Sequence, residues 1–194
     1  GLDVAIRAIR AAKEAIVVEG YMDAISLHAA GVDRVVASLG TAFSRDHAKL
    51  LARLAEQVVF AYDSDDAGRR NAVRAVSIAK AAGLAVKVLN VPAGKDPDEY
   101  VRKAGKEAFE DLVRHAWDGT EFQIRYAVSH ENVADLAGKV RAVSNIVPYL
   151  QECRNEIEAA GYMKLAAQLL VIDEGLILSE YRKGKSRRVF ERPA

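Results

Sequence analysis

The sequence is short of the residues that several classes of protein depend on. It has one cysteine, Cys153, in 194 residues. That excludes a disulfide framework and a cysteine-built zinc site, and it fits a reducing, cytoplasmic setting. No apolar run approaches the ~18–20 residues that span a bilayer. The amino end, Gly1-Leu2-Asp3-Val4-Ala5-Ile6-Arg7, has no cationic segment followed by an apolar block, so it does not read as a signal peptide. It also lacks an initiator Met, as an excised piece of a longer protein would. Excess charge of either sign is missing too: 28 Lys and Arg face 27 Asp and Glu, which excludes a uniformly basic nucleic-acid coat and an acidic disordered chain. No internal repeat or low-complexity linker interrupts the chain.

What the sequence does have is apolar patterning, with 51% hydrophobic residues. Four short runs are nearly continuous in apolar character: Ala15 to Val18, Arg34 to Ala37, Gln57 to Ala61 and Leu84 to Leu89. Strands buried on both faces of a parallel sheet look like this. Helical spacing fills the intervals. One of these helices starts at a candidate N-cap, Ser44, and another stops at Gly83. Strand–helix alternation at this pitch predicts an α/β domain with right-handed crossovers. After about Pro97 no strand-like run remains and helical spacing continues to the end. Pro148 and Gly161 are expected to break or kink it. The expected division is an N-terminal helix over 1–14, an α/β domain over 15–105, and a helical subdomain over 106–194 that ends in a basic tail. From Glu180 to Ala194 the tail carries six Lys and Arg against two Glu, leaving 22 basic and 25 acidic residues elsewhere. Such a tail is either a solvated terminus or a nucleic-acid contact.

In an open parallel sheet, ligands bind beyond the carboxyl ends of the strands, so the residues there deserve the closest reading. Glu19-Gly20-Tyr21-Met22-Asp23 follows the first strand and Asp63-Ser64-Asp65-Asp66-Ala67-Gly68 the third. Asp96-Pro97-Asp98-Glu99 comes shortly after the fourth, behind Lys95. Only the second strand ends without acid, in Ser38-Leu39-Gly40-Thr41. Helix capping explains each loop singly, and Asp96-Pro97 has the form of an N-cap followed by Pro at N1. Capping needs one oxygen, however, and these loops offer alternating pairs at Asp63/Asp65 and Asp96/Asp98. Five or six carboxylates at one edge repel unless hard cations sit among them. Oxygen-only ligation suits Mg²⁺ or Mn²⁺ working on phosphates. An EF-hand is excluded, because its twelfth position falls on Arg74 rather than Glu. The four histidines lack metal-ligand spacing and read as surface or packing residues.

The four segments Val17 to Asp23, Ala37 to Ala42, Tyr62 to Gly68 and Asp96 to Val101 together resemble the Toprim domain of bacterial DnaG-type replicative primases. The likeness is dense from Ala15 to Phe109 and looser beyond. It implies a Toprim-type, Rossmann-like parallel sheet flanked by helices, followed by a C-terminal helical module. The implied activity is metal-dependent nucleotidyl transfer that joins ribonucleoside triphosphates into short RNA primers on single-stranded DNA. Carried over by residue, Glu19, Asp63, Asp65, Asp96 and Asp98 fall on metal-binding acids, and Asp23 on an additional active-site acid; Glu19, Asp23, Asp63 and Asp65 are the expected catalytic set. The same resemblance places a zinc ribbon, a basic template-binding segment and a helicase-interacting domain outside this chain, so the chain alone is expected to be inactive. Lys95, beside the Asp-Pro-Asp loop, is not matched to a family residue, and its charge either weakens cation binding or meets phosphate. The alternatives are another Toprim enzyme, nuclease or topoisomerase-like, and a non-catalytic metal-binding module.

Overall fold

The computed structural model describes residues 1–39, 42–91 and 96–190, with residues 185–190 as backbone alone. Gly40, Thr41, Lys95 and most of the basic tail's charged side chains therefore lie outside the described residues. The chain divides into two compact units, Gly1–Gly119 and Thr120–Ala194.

The first unit runs α1 (Leu2–Ala12), β1 (Glu14–Val18), α2 (Tyr21–Ala29), β2 (Val35–Ala37), α3 (Arg45–Leu51), β3 (Gln57–Phe60), α4 (Asp66–Ala81), β4 (Ala85–Val88), α5 (Pro97–Arg114) and β5 (Trp117–Asp118). The sheet order is β2-β1-β3-β4-β5. The first four strands are parallel, as their apolar runs predict, and β5 closes the far edge antiparallel to β4 through Val88↔Trp117 and Lys87↔Asp118. Two residues are too few to leave a period, so the sequence gives no sign of this strand and the sheet is mixed rather than purely parallel.

Alternation along each strand builds two layers. Ile16, Val18, Val59 and Ala61 meet Leu27 of α2 and Val101, Phe109 and Val113 of α5 on one face. Helices α1, α3 and α4 occupy the other face, where Phe60 packs edge-on between Phe43 and Tyr62. The expected boundary at residue 105 coincides with Gly105, which leaves the helical region (φ 84°) and kinks α5. It is a bend rather than a domain limit, since Phe109 and Val113 beyond it return to the core of the same unit.

The second unit holds α6 (Gly119–Ser129), α7 (Leu136–Leu150), α8 (Glu156–Leu170) and α9 (Glu174–Phe190). Ile124, Val143, Ile146, Leu150, Met163, Leu170, Ile177 and Tyr181 form its core. The breaks expected at Pro148 and Gly161 do not occur. Pro148 sits near the end of α7 and Gly161 within α8. The helices start instead at Asp135 and Asn155, whose side chains accept from the Gly138 and Glu158 N–H groups. Among the described residues no helix is long and apolar enough to cross a membrane.

At the amino ends of the strands one cation ties the first unit together. Arg34 donates to Glu14 at 2.8 Å and grips both oxygens of Glu110 at 2.7 and 2.6 Å. This holds the Glu110 carboxyl below its ordinary range, so the stabilisation is complete above the ordinary value near 4.5 and is lost as pH falls below it. Arg34→Met leaves Glu14 to its Gln57 hydrogen bond and Glu110 to the charges of Lys106 and Arg114. It is expected to cost about 2–3 kcal/mol in urea unfolding at pH 7, less than a fully buried pair because some water reaches the group. The difference from wild type should narrow below pH 4.5.

Candidate metal centre

The strand order places β1 between β2 and β3, so the chain leaves β1 on one side and returns on the other. Parallel sheets open a crevice at such a switch point. The register Val17↔Phe60 brings the ends of β1 and β3 level. Glu19 and Asp63 emerge there side by side, with Asp65 close enough to act on Glu19 and with Asp23 and Asp96 acting on Asp63. The acid-free loop after β2 is tied to the same corner. Ser38 N–H donates to the Val18 carbonyl at 3.1 Å, and Leu39, in the left-handed region (φ 57°), donates to the Glu19 carbonyl at 3.2 Å.

Capping and clustering both occur, on different oxygens. Asp65 caps α4 by accepting from Gly68 N–H through Oδ1 at 2.7 Å, and Asp96 caps α5 by accepting from Glu99 N–H through Oδ1 at 2.6 Å. Each cap uses one oxygen of its carboxylate. Asp98 pairs with Arg102 one turn on, yet its Oδ1 is buried without a hydrogen-bond partner, as is Oε1 of Glu19. Burial, and then neighbouring carboxylates, push Glu19 and Asp63 above their ordinary values. Burial also raises Asp23, where two backbone N–H groups act in the opposite direction. Orphaned buried carboxylate oxygens among like charges suit a hard cation. Even so, among the described residues no three His, Cys, Asp or Glu side chains are gathered tightly enough to enclose an ion.

Two residues outside the expected site set shape this corner. Gly68 leaves space for the acids, since a Cβ there would strike the Asp63 carbonyl and come within 3.0 Å of Glu19 Oε1. A glycine in the first turn of a 16-residue helix is a poor helix former, and that oddity was the available signal. Asn71, one turn further along α4, hydrogen-bonds the Glu19 side chain; nothing in the sequence distinguishes it. The histidines serve local structure, with His28 bonding the Val35 carbonyl and His47 completing the cap of α3.

Because the folded state holds protons on Glu19 and Asp63 more tightly than the unfolded chain does, ionising them lowers stability. That penalty applies above their raised values and is relieved as pH falls through them. With chelator at pH 7.5, Asp63→Asn should raise the melting temperature by about 2–4 °C. The gain should shrink toward the ordinary aspartate value of 3.8. Asp65→Asn should raise the melting temperature by a smaller amount, because Asn caps as well as Asp while one charge acting on Glu19 and Asp63 is removed. Differential scanning calorimetry across pH checks both.

Known proteins resemble this chain in sequence and in fold. Residues 16–101 match the model of a Toprim-like family, and residues 120–175 match the DnaB-helicase binding domain of primase. The second match corrects the expectation that a helicase-interacting domain lies wholly outside the chain. It falls within the second compact unit, whose helical spacing carried no functional signature. A DNA primase of Clostridium acetobutylicum is 45% identical over 149 residues, which are 77% of this chain and 25% of that protein. The RNA polymerase domain of Mycobacterium tuberculosis primase DnaG superposes with a TM-score of 0.72 at 33% identity, covering 86% of this chain and 54% of that one. A DnaG primase catalytic domain bound to single-stranded DNA gives 0.70 at 32% identity, covering 84% and 53%. The chain spans about a quarter of the length of the Clostridium primase. With a Toprim-like match over residues 16–101, a primase helicase-binding match over residues 120–175, and DNA primases among its relatives and structural neighbours, the chain belongs to the bacterial DnaG-type DNA primase family.

Proposed function

We propose that this chain supplies the acidic half of a primer-synthesising active site in a longer DNA primase. In that protein ribonucleoside triphosphates are joined into a short RNA primer on a single-stranded DNA template. The observation that carries this reading is the pair of buried, unpartnered oxygens, Glu19 Oε1 and Asp98 Oδ1, at the switch-point edge of a Toprim-like unit. Glu19, Asp63, Asp65, Asp96 and Asp98 would hold Mg²⁺ or Mn²⁺. A cation held there would supply charge neutralisation for triphosphate oxygens and for the leaving pyrophosphate. Asn71 orients the Glu19 carboxylate, and the backbone N–H groups capped by Asp65 and Asp96 hold those loops rigid, so that one oxygen of each stays turned to its cap.

Residues 120–175 are the proposed contact with the replicative helicase, by their match to a helicase-binding domain. The template, the nucleotides and the RNA primer complete the partner set, and a replication role places the protein in the cytoplasm. The acidic edge repels a phosphate backbone, and phosphoryl transfer depends on positioning as much as on charge. The 194-residue chain by itself should therefore not make primers at a measurable rate. In the complete primase, Glu19→Gln and Asp63→Asn should each cut primer synthesis by about 100-fold or more through lost electrostatic stabilisation, while Asp46→Asn on the exposed face of α3 leaves it unchanged. Primer-extension gels with labelled ribonucleotides measure all three. Near-normal synthesis by Asp63→Asn would overturn the assignment.

A further inference from the structure

Asp23 stands apart from the other acids, because its carboxylate spans two loops 75 residues apart in sequence. It occupies the third position of α2, where Oδ2 accepts from the Gly20 N–H at 3.1 Å and closes the turn after β1. Its other oxygen, Oδ1, accepts from the backbone N–H of Asp98 at 3.4 Å, in the first turn of α5. That N–H has no partner within its own helix, since the first four N–H groups of any helix lack one, and the cap from Asp96 goes to Glu99 instead. Gly20 keeps the arrangement open: a Cβ there would lie 2.9 Å from Asp23 Oδ2. The helices behind the two loops, α2 and α5, pack directly on each other, so the carboxylate sits on top of a formed interface.

We infer that Asp23 is a positioning residue, a clasp between the β1–α2 turn and the start of α5 that sets Asp98 beside the Glu19–Asp63 corner, rather than a ligand of the cation. Both of its oxygens hold a backbone N–H. By contrast, Glu19 Oε1 and Asp98 Oδ1 are buried with no partner. Asp23 also opposes the tendency of the acidic loops to separate. Its own charge repels Asp96 and Asp98, and the directed N–H bond works against that repulsion.

The clasp is tested in the metal-free 194-residue chain, independently of the proposed cation. Hydrogen exchange at single amides, followed by NMR, should show the Asp98 and Gly20 N–H groups losing about tenfold or more of their protection in Asp23→Ala. Asp63→Asn should leave both unchanged. Asp23→Asn, which keeps one acceptor oxygen and guards against a folding failure of the alanine variant, should lose protection at one of the two amides and keep it at the other. A second arm rests on the metal reading above. In Mn²⁺ titrations followed by electron paramagnetic resonance, Asp23→Ala should bind as many ions as wild type with about tenfold weaker affinity, as outer-shell partners do, and Asp63→Ala should bind fewer. Unchanged protection at Asp98 overturns the clasp, and so does loss of a bound ion in Asp23→Ala. Absence of Mn²⁺ binding by wild type would overturn the metal reading alone and leave the exchange result to decide the clasp.

Discussion

The in-register parallel pairing of β1 with β3 is the constraint on which the rest of the structure hangs. Val17 lies opposite Phe60, and each strand is buried on both faces. A one-residue slip of β1 would turn Val17 into the layer that holds Val18 and Ala61. It would also carry Glu19 away from Asp63. The packing that forbids the slip is therefore the same packing that aligns the acids, and no separate device is needed to bring them together.

Around that corner the protein works against its own electrostatics. Carboxylates pushed upward by burial and by one another are ordinarily removed or protonated, yet here local bonds keep them in place. Asp65 and Asp96 each hold a helix terminus with one oxygen, and Asn71 and the Asp63 backbone steady Glu19. These contacts are individually modest, of the order of 1 kcal/mol for a cap. They suffice because each fixes a loop only a few residues long between well-packed elements.

Much of this could be read from the residues. Burial on both faces leaves a run of apolar residues, so the four parallel strands announced themselves. Ser44 and Asp96 were recognisable as caps because the capping bond is local in sequence. The acids following β1, β3 and β4 followed from the rule that sites sit at strand ends. Structure that depends on distant partners leaves no such trace in the sequence. β5 exists only because β4 offers it an edge, and the kink at Gly105 looks like a boundary until Phe109 is found in the same core. Gly161 stays helical inside α8 because tertiary packing outweighs propensity. The link from Asp23 to Asp98 has no local signal at all, since the two residues are far apart along the chain.

The two-residue strand β5 has a consequence for how the first unit behaves in solution. With Trp117 and Asp118 in place, the outer edge of β4 is covered where Lys87 and Val88 are paired. A chain cut at residue 105 would lose this cover together with Phe109 and Val113. Its β4 would then present open backbone donors and acceptors next to newly bared apolar surface, a template on which a second copy can add its own strand. The stretch from Lys106 to Asp118 thus acts as a guard against self-assembly, and cutting the chain after Asp118 rather than at residue 105 keeps that guard with the unit it protects.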